Sequence, residues 1–229
     1  MACHGQAPGF FGKLPSHGDF VGRRLPPEVR DCFDSWLQAA LLQSKSDLGE
    51  AWLPAWMNSP LWRFVVGEGV CGAQAWAGVM MPSHDRVGRC FPLLLAAAID
   101  GAPSLRQCLT LHAGWFGRLE DLALSALEDG FVLESLELVL VATAGAPQPV
   151  RPVATDGTLA QAGRPPVVEF ASSSSFALAD EILRGRSAWW TDGSAHSAPC
   201  LAVSGGLPAP DMFAAFLDGR WNARGWRQV

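Results

Sequence analysis

The sequence predicts an α+β fold: a central antiparallel or mixed β-sheet covered by helices, in an α/β/α-like sandwich, as a single domain with a C-terminal extension. Three observations carry that expectation. Short β-rich segments are joined by Gly-dense turns, as between residues 61–66 and 74–81. One continuous apolar run, 91–99, has the length of a strand buried on both faces. Between the strands stand stretches with helical apolar spacing, the clearest following Pro26 and Pro27.

Taken in order, residues 10–14 are a short strand candidate. Val29, Phe33, Trp36, Leu37, Ala40 and Leu41 fall on one helical face, so a helix is expected from Pro26 to about residue 42. Residues 49–58 carry Trp52 and Trp56 at i, i+4 around Pro54, a short interrupted helix that Ser59-Pro60 ends. The segments 61–66 and 74–81 then read as an antiparallel hairpin, and 91–99 as a central strand. Ser104 is a good N-cap for one helix carrying Leu105, Leu109, His112, Phe116, Leu119, Ala123, Ala126 and Leu127 inward, closed by Gly130. Residues 131–142 fit helix or strand, with Leu133, Leu136 and Leu140 favouring helix.

The domain organisation expected is a core over 1–143, a loop or linker over 144–166, and an α+β extension over 167–229 packed on the same sheet. The linker is rich in Pro and Gly and lacks apolar periodicity. The extension reads as strands near 167–171, 188–191 and 199–203, with helices over 176–184 and 210–217.

With 229 residues the chain can bury a full core. Ten Trp and no Tyr point to a Trp-rich core in preference to an exposed aromatic interface. Lys plus Arg number 17 against 22 Asp plus Glu, a net of -5 without a basic run, which argues against nucleic-acid or anionic-membrane binding by bulk charge. The N-terminus has no basic region followed by an apolar one, and the longest apolar runs fall well short of the roughly 20 residues of a membrane helix. A soluble cytoplasmic protein without membrane insertion is expected. Six Cys, widely spaced and without a C-x-x-C pair, favour free thiols over a disulfide framework and give no zinc pattern.

The chain nearly says one phrase twice. Residues 14–26 read Leu-Pro-Ser-His-Gly-Asp-Phe-Val-Gly-Arg-Arg-Leu-Pro, and 81–92 read Met-Pro-Ser-His-Asp-Arg-Val-Gly-Arg-Cys-Phe-Pro. With Gly18 as a single insertion, Pro15/Pro82, Ser16/Ser83, His17/His84, Asp19/Asp85, Val21/Val87, Gly22/Gly88, Arg23/Arg89 and Pro26/Pro92 coincide. Each copy follows a short apolar segment and opens with a Pro that cannot donate to a ladder, so both read as loops leaving strand ends. If the loops lie side by side, Arg23, Arg24, Arg86 and Arg89 with Asp19 and Asp85 make a mixed surface capable of bidentate pairing.

Three ordered blocks of the first half of the chain resemble the TagF (ImpM) family of type VI secretion accessory proteins. They are Gly12-Lys13-Leu14-Pro15-Ser16 with Gly18-Asp19-Phe20; Ser59-Pro60-Leu61-Trp62-Arg63-Phe64; and Pro82-Ser83 with Asp85-Arg86-Val87-Gly88-Arg89 and Phe91-Pro92-Leu93. The resemblance implies a non-enzymatic accessory protein that restrains type VI secretion post-translationally by protein binding. It further implies a partner in the secretion machinery, such as a forkhead-associated-domain scaffold, and no cofactor.

The residues themselves leave alternatives open. Ser16, His17 and Asp19, or Ser83, His84 and Asp85, carry the letters of a hydrolase triad, but triads are assembled from separated positions, and neighbours in a loop diverge. A Ser/His/Asp hydrolase or a metal-dependent enzyme on the paired loops is the alternative function. Arg23, Arg86 and Arg89 with Asp19 and Asp85 are either salt bridges locking two crossing loops or forks free to recognise a partner. Lys13 lacks a Walker A context. Trp62 and Arg63 read as an aromatic strand with Arg63 outward or pairing an acid. The candidate interaction or clasp set is Lys13, Ser16, Asp19, Arg23, Trp62, Arg63, Ser83, Asp85, Arg86 and Arg89.

Overall fold

Alternation along the strands sorts this chain's apolar side chains onto two sides of one sheet, and helices cover both. The computed structural model describes residues 7–99, 104–143, 147, 166–170, 183–195 and 197–229. The strands are β1 (Gly9–Gly12), β2 (Val21–Arg23), β3 (Trp62–Val66), β4 (Ala75–Met81), β5 (Leu93–Ile99), β6 (Val167–Phe170), β7 (Arg186–Thr191), β8 (Cys200–Gly205) and β9 (Arg227–Gln228). Among the described residues they form one nine-stranded sheet in the order β2-β1-β5-β4-β3-β7-β8-β6-β9. Every pairing is antiparallel except β6 with β9. The fold is α+β. The strands after residue 166 continue the sheet through β7, which pairs with β3.

On one side, Phe10, Val65, Val79, Leu93, Leu95, Trp190 and Leu201 meet the helices α3 (Leu105–Leu109), α4 (Ala113–Ser125) and α5 (Leu133–Ala142). On the other, Trp62, Phe64, Trp76, Leu94, Trp189 and Ala202 meet α1 (Pro27–Leu48), α2 (Trp52–Met57) and α6 (Ala215–Asp218). All ten Trp are buried. The second side is a continuous aromatic layer: Trp189 lies 5.2 Å from Trp36 and 5.0 Å from Phe64 between ring centroids, and Phe216 packs on Trp62 at 4.6 Å. Strands β4 and β5 approach closely at Gly78, where an added Cβ would collide with the Leu95 carbonyl.

Several elements differ from the sequence reading, each for a local reason. Helix α1 runs to Leu48, beyond residue 42, because the buried Ser44 hydroxyl satisfies itself within the helix, donating to the Leu41 carbonyl while accepting from the Trp52 indole. Gly49, at φ 53°, ends it. The single helix expected after Ser104 is two. Its capping box with Gln107 is present, but Thr110 Oγ1 donates to the Arg106 carbonyl and the first helix stops at Leu109. His112 stands at the N-cap of α4 instead of facing inward. Residues 131–142 resolve as helix α5. The stretch 210–217 divides into a 3-10 turn, Pro210–Met212, and α6. Strands β2 and β9, of three and two residues, carry too short a pattern to be read. Nearly all of the expected linker, and most of the expected helix over 176–184, lie outside the described residues.

The cysteines correct the sequence reading. Cys32 on α1 and Cys71 in the β3–β4 turn are joined as a disulfide, with Cα atoms 5.6 Å apart. Spacing could not disclose it, since the pair is 39 residues apart in sequence and meets only when α1 packs across the hairpin. Cys90, Cys108 and Cys200 are free. Reduction, or Cys71→Ser, should lower unfolding free energy by about 2–4 kcal/mol. Alkylation of the unreduced protein followed by mass analysis should leave Cys32 and Cys71 unmodified.

Candidate functional site

The two echoed loops lie against each other at the ends of β1, β4 and β5. The second copy closes on itself: Phe91 N–H donates to Ser83 O at 3.1 Å, Gly88 N–H to Asp85 O at 2.8 Å, and Gly88 adopts φ 83°. This turn points the Asp85 carboxylate inward. Its Oδ1 accepts from the backbone amides of Val87 (3.1 Å) and Arg89 (2.9 Å), and its Oδ2 from Lys13 Nζ (3.0 Å) and Arg89 Nε (2.6 Å).

The carboxylate is fully buried, and Lys13 is almost so. Burial pushes the Asp85 carboxyl up, but the Arg89 amide, the Lys13 ammonium, the Arg89 guanidinium and the Val87 amide outweigh it, holding the group well below the usual carboxylate range. Lys13 Nζ also reaches the Arg89 carbonyl at 3.4 Å and sits 5.1 Å from the centroid of Phe20, a residue of the first loop. Phe20 in turn stacks on Phe11 and meets Phe91 edge-on at 4.8 Å.

Backbone and side-chain bonds then tie one loop to the other. Ser83 Oγ donates to Lys13 O (2.8 Å), Arg86 N–H to His17 O (2.8 Å), and an Arg89 terminal nitrogen to Gly18 O (2.7 Å). From beneath, the Trp56 indole donates to Ser83 O at 3.2 Å. Lys13, Ser83, Asp85 and Arg89 are thus brought together as a clasp.

The other predicted site residues are placed differently. Ser16 and Asp19 are exposed; Asp19 caps its own loop by accepting from Phe20 N–H. Arg23 pairs with Glu137 of α5. Arg86 is exposed, its guanidinium lying over Gly18 at 3.2 Å from where a Cβ would stand, with no hydrogen bond or ion pair among the described residues. Trp62 is buried under Phe216 and Trp221. Arg63 points to the opposite side of the sheet, where it holds Glu120 of α4 through two bonds (2.6 and 2.7 Å) and Asp192 after β7 through two more (3.2 and 2.6 Å). Arg63 therefore pins α4 to the sheet away from the clasp.

The identical columns are not equivalent positions: Asp85 is the buried hub, whereas Asp19 is a surface cap. Gly18, inserted between His17 and Asp19, separates the two geometries. The partners Glu120, Glu137 and Asp192 carry no local motif and were not legible; Trp56 lies outside the blocks, and Phe20, though inside the first, carried no sign of its contact with Lys13.

The triad letters are committed elsewhere. Ser83 Oγ is occupied by the Lys13 carbonyl, Asp85 by Lys13 and Arg89, and His84 Nδ1 lies against Asp85 O at 2.9 Å. Ser16 Oγ and His17 Nδ1 are 2.9 Å apart as chain neighbours. Among the described residues no three His, Cys, Asp or Glu side chains converge as metal ligands.

Comparison with known proteins adds two similarities. A family model described as the TagF N-terminal domain, type VI secretion system-associated, matches residues 9–142. A crystal structure of PA0076 from Pseudomonas aeruginosa PAO1 is similar at 37% identity over 93% of this chain and 94% of that one, with a TM-score of 0.78. No curated protein sequence matches.

Lys13→Met should lower the urea midpoint clearly, because it withdraws a buried cation from a buried carboxylate. Arg86→Ala should stay within about 0.5 kcal/mol of the parent. A folded carboxyl held below its ordinary value of 3.8 stabilises fully above that value, and the contribution is lost as pH falls through and below it. Stability should therefore drop as pH falls below about 4, and Asp85→Asn should flatten that drop.

Proposed function

The chain belongs to the TagF N-terminal domain family of type VI secretion-associated proteins, and from that premise we propose that it is a non-enzymatic accessory protein acting by protein–protein binding. Its output is control of secretion assembly after translation, exerted in the cytoplasm on a component of the machinery such as a forkhead-associated-domain scaffold. The contact surface is the outer side of the clasp.

The observation that carries this reading is Arg86. The buried ions beneath it are mutually satisfied, so the loop that presents it is fixed, while its own guanidinium lies exposed without a carboxylate among the described residues. A fixed, unpaired Arg fork recognises a carboxylate or an acidic loop at little ordering cost. Asp19, exposed on the adjoining loop, supplies the opposite charge at the same surface and favours a partner with charges of both signs. The engagement of the Ser, His and Asp side chains in loop structure supports binding over catalysis.

The test uses the full chain immobilised and presented with a purified forkhead-associated-domain scaffold of a type VI system. Wild type should retain the scaffold, and Arg86→Ala/Asp19→Ala should lose it about tenfold or more with unchanged circular dichroism. Equal retention by both proteins would move the interface off the clasp. No retention by wild type would remove this class of partner.

A further inference from the structure

Helix α5 is apolar on nearly all sides, yet only one side of it is packed. Leu136 and Leu140 face the core, while Leu138, Val139 and Val141 are exposed, Leu138 at 73%. A helix apolar all round is ordinarily covered on all sides. Between α5 and the end of α4 runs a groove of about 260 Å3, with Leu122, Phe131, Val132, Ser135 and Val139 in its walls. Leu124 and Leu127 are also exposed.

The charges around this surface are nearly all of one sign. Residues 113–142 contain Glu120, Asp121, Glu128, Asp129, Glu134 and Glu137 against Arg118 alone. Glu120 is engaged by Arg63 and Glu137 by Arg23. Asp121, Glu128, Asp129 and Glu134 are exposed and have no cationic partner among the described residues. Glu128 and Asp129 stand in the groove itself, and Glu134 shares a helical stripe with Leu138 and Val141.

We infer that the α4–α5 groove docks a basic amphipathic helix of a protein partner, whose apolar stripe covers Phe131, Val132 and Val139 while its Lys or Arg residues meet Glu128 and Asp129 in the groove. The ten residues of α5 span about 15 Å, the length of roughly three turns of a partner helix. Charge decides against the other occupants. A second copy would bring its own carboxylates against these, and an anionic bilayer would be repelled in the same way. This surface is independent of the clasp: it uses neither Arg86 nor Asp19, so the two readings can fail separately.

The test titrates the full chain with two labelled synthetic 18-residue peptides of helical apolar spacing, one of Leu and Lys and the other of Leu and Glu, read by fluorescence anisotropy. The Lys peptide should bind, the Glu peptide should not, and binding should weaken with salt. Val132→Gln/Val139→Gln should weaken it about tenfold or more, and Glu128→Lys/Asp129→Lys should shift the preference towards the Glu peptide. All four positions are exposed, so circular dichroism should be unchanged. Equal binding of both peptides, or binding that neither pair of substitutions alters, overturns the inference. So does a wild-type dimer that Val132→Gln/Val139→Gln dissolves, or Lys-peptide binding that appears only after deletion of residues 148–165.

Discussion

A single buried carboxylate organises the end of this sheet. Asp85 can be taken out of water only because four donors are fixed around it, two from its own backbone turn and two from cationic side chains. One of those cations, Lys13, follows β1, seventy-two residues earlier in the chain. The ion pair therefore joins the end of β1 to the loop between β4 and β5. Ser83 and Arg89 add bonds from the second loop to the first, and Trp56 supports the second loop from below. With the inner charges so occupied, the outer ones are presented by a fixed frame. Arg86 and Asp19 owe their placement to a contact that neither makes.

The sheet itself explains why one end can be dedicated to the clasp. Its two sides are covered, one by α3, α4 and α5 and the other by α1, α2 and α6 around a Trp-rich layer. Arg63 secures α4 through Glu120, and the end of β7 through Asp192, on one side, while the Cys32–Cys71 disulfide secures α1 on the other. The loops can then be shaped by charge and turn geometry. The outer sides of α4 and α5 are the place where this covering stops and apolar surface meets water beside unpaired acids.

Much of this was legible in the sequence, because periodicity and turn chemistry are local. The apolar run 91–99 contains β5, a strand between two others, the face from Val29 to Leu41 is buried, and the paired loops do meet. The family could be named from its blocks alone. What was not legible depends on contacts across the fold. Sequence identity made Asp19 and Asp85 look equivalent, and only the packing shows that one is a buried hub and the other a surface cap. Arg63 sat inside a family block and looked like part of the same surface, yet strand alternation turns it to the α4 side. Cys32 and Cys71 had no spacing to announce them, and α3 ends at Leu109 although no Pro or Gly stands there to mark the break.

The claim on which the rest depends is that Lys13 and Asp85 act as one unit, and a double-mutant cycle on unfolding free energy measures it. Lys13→Met, Asp85→Asn and the double variant would be compared with the parent by urea denaturation at neutral pH. Strong non-additivity is expected: once either partner is gone, removing the other costs little more or restores stability by relieving an uncompensated charge. Simple addition of the two single effects would mean that the residues act independently, and that the loops are joined by something other than this pair.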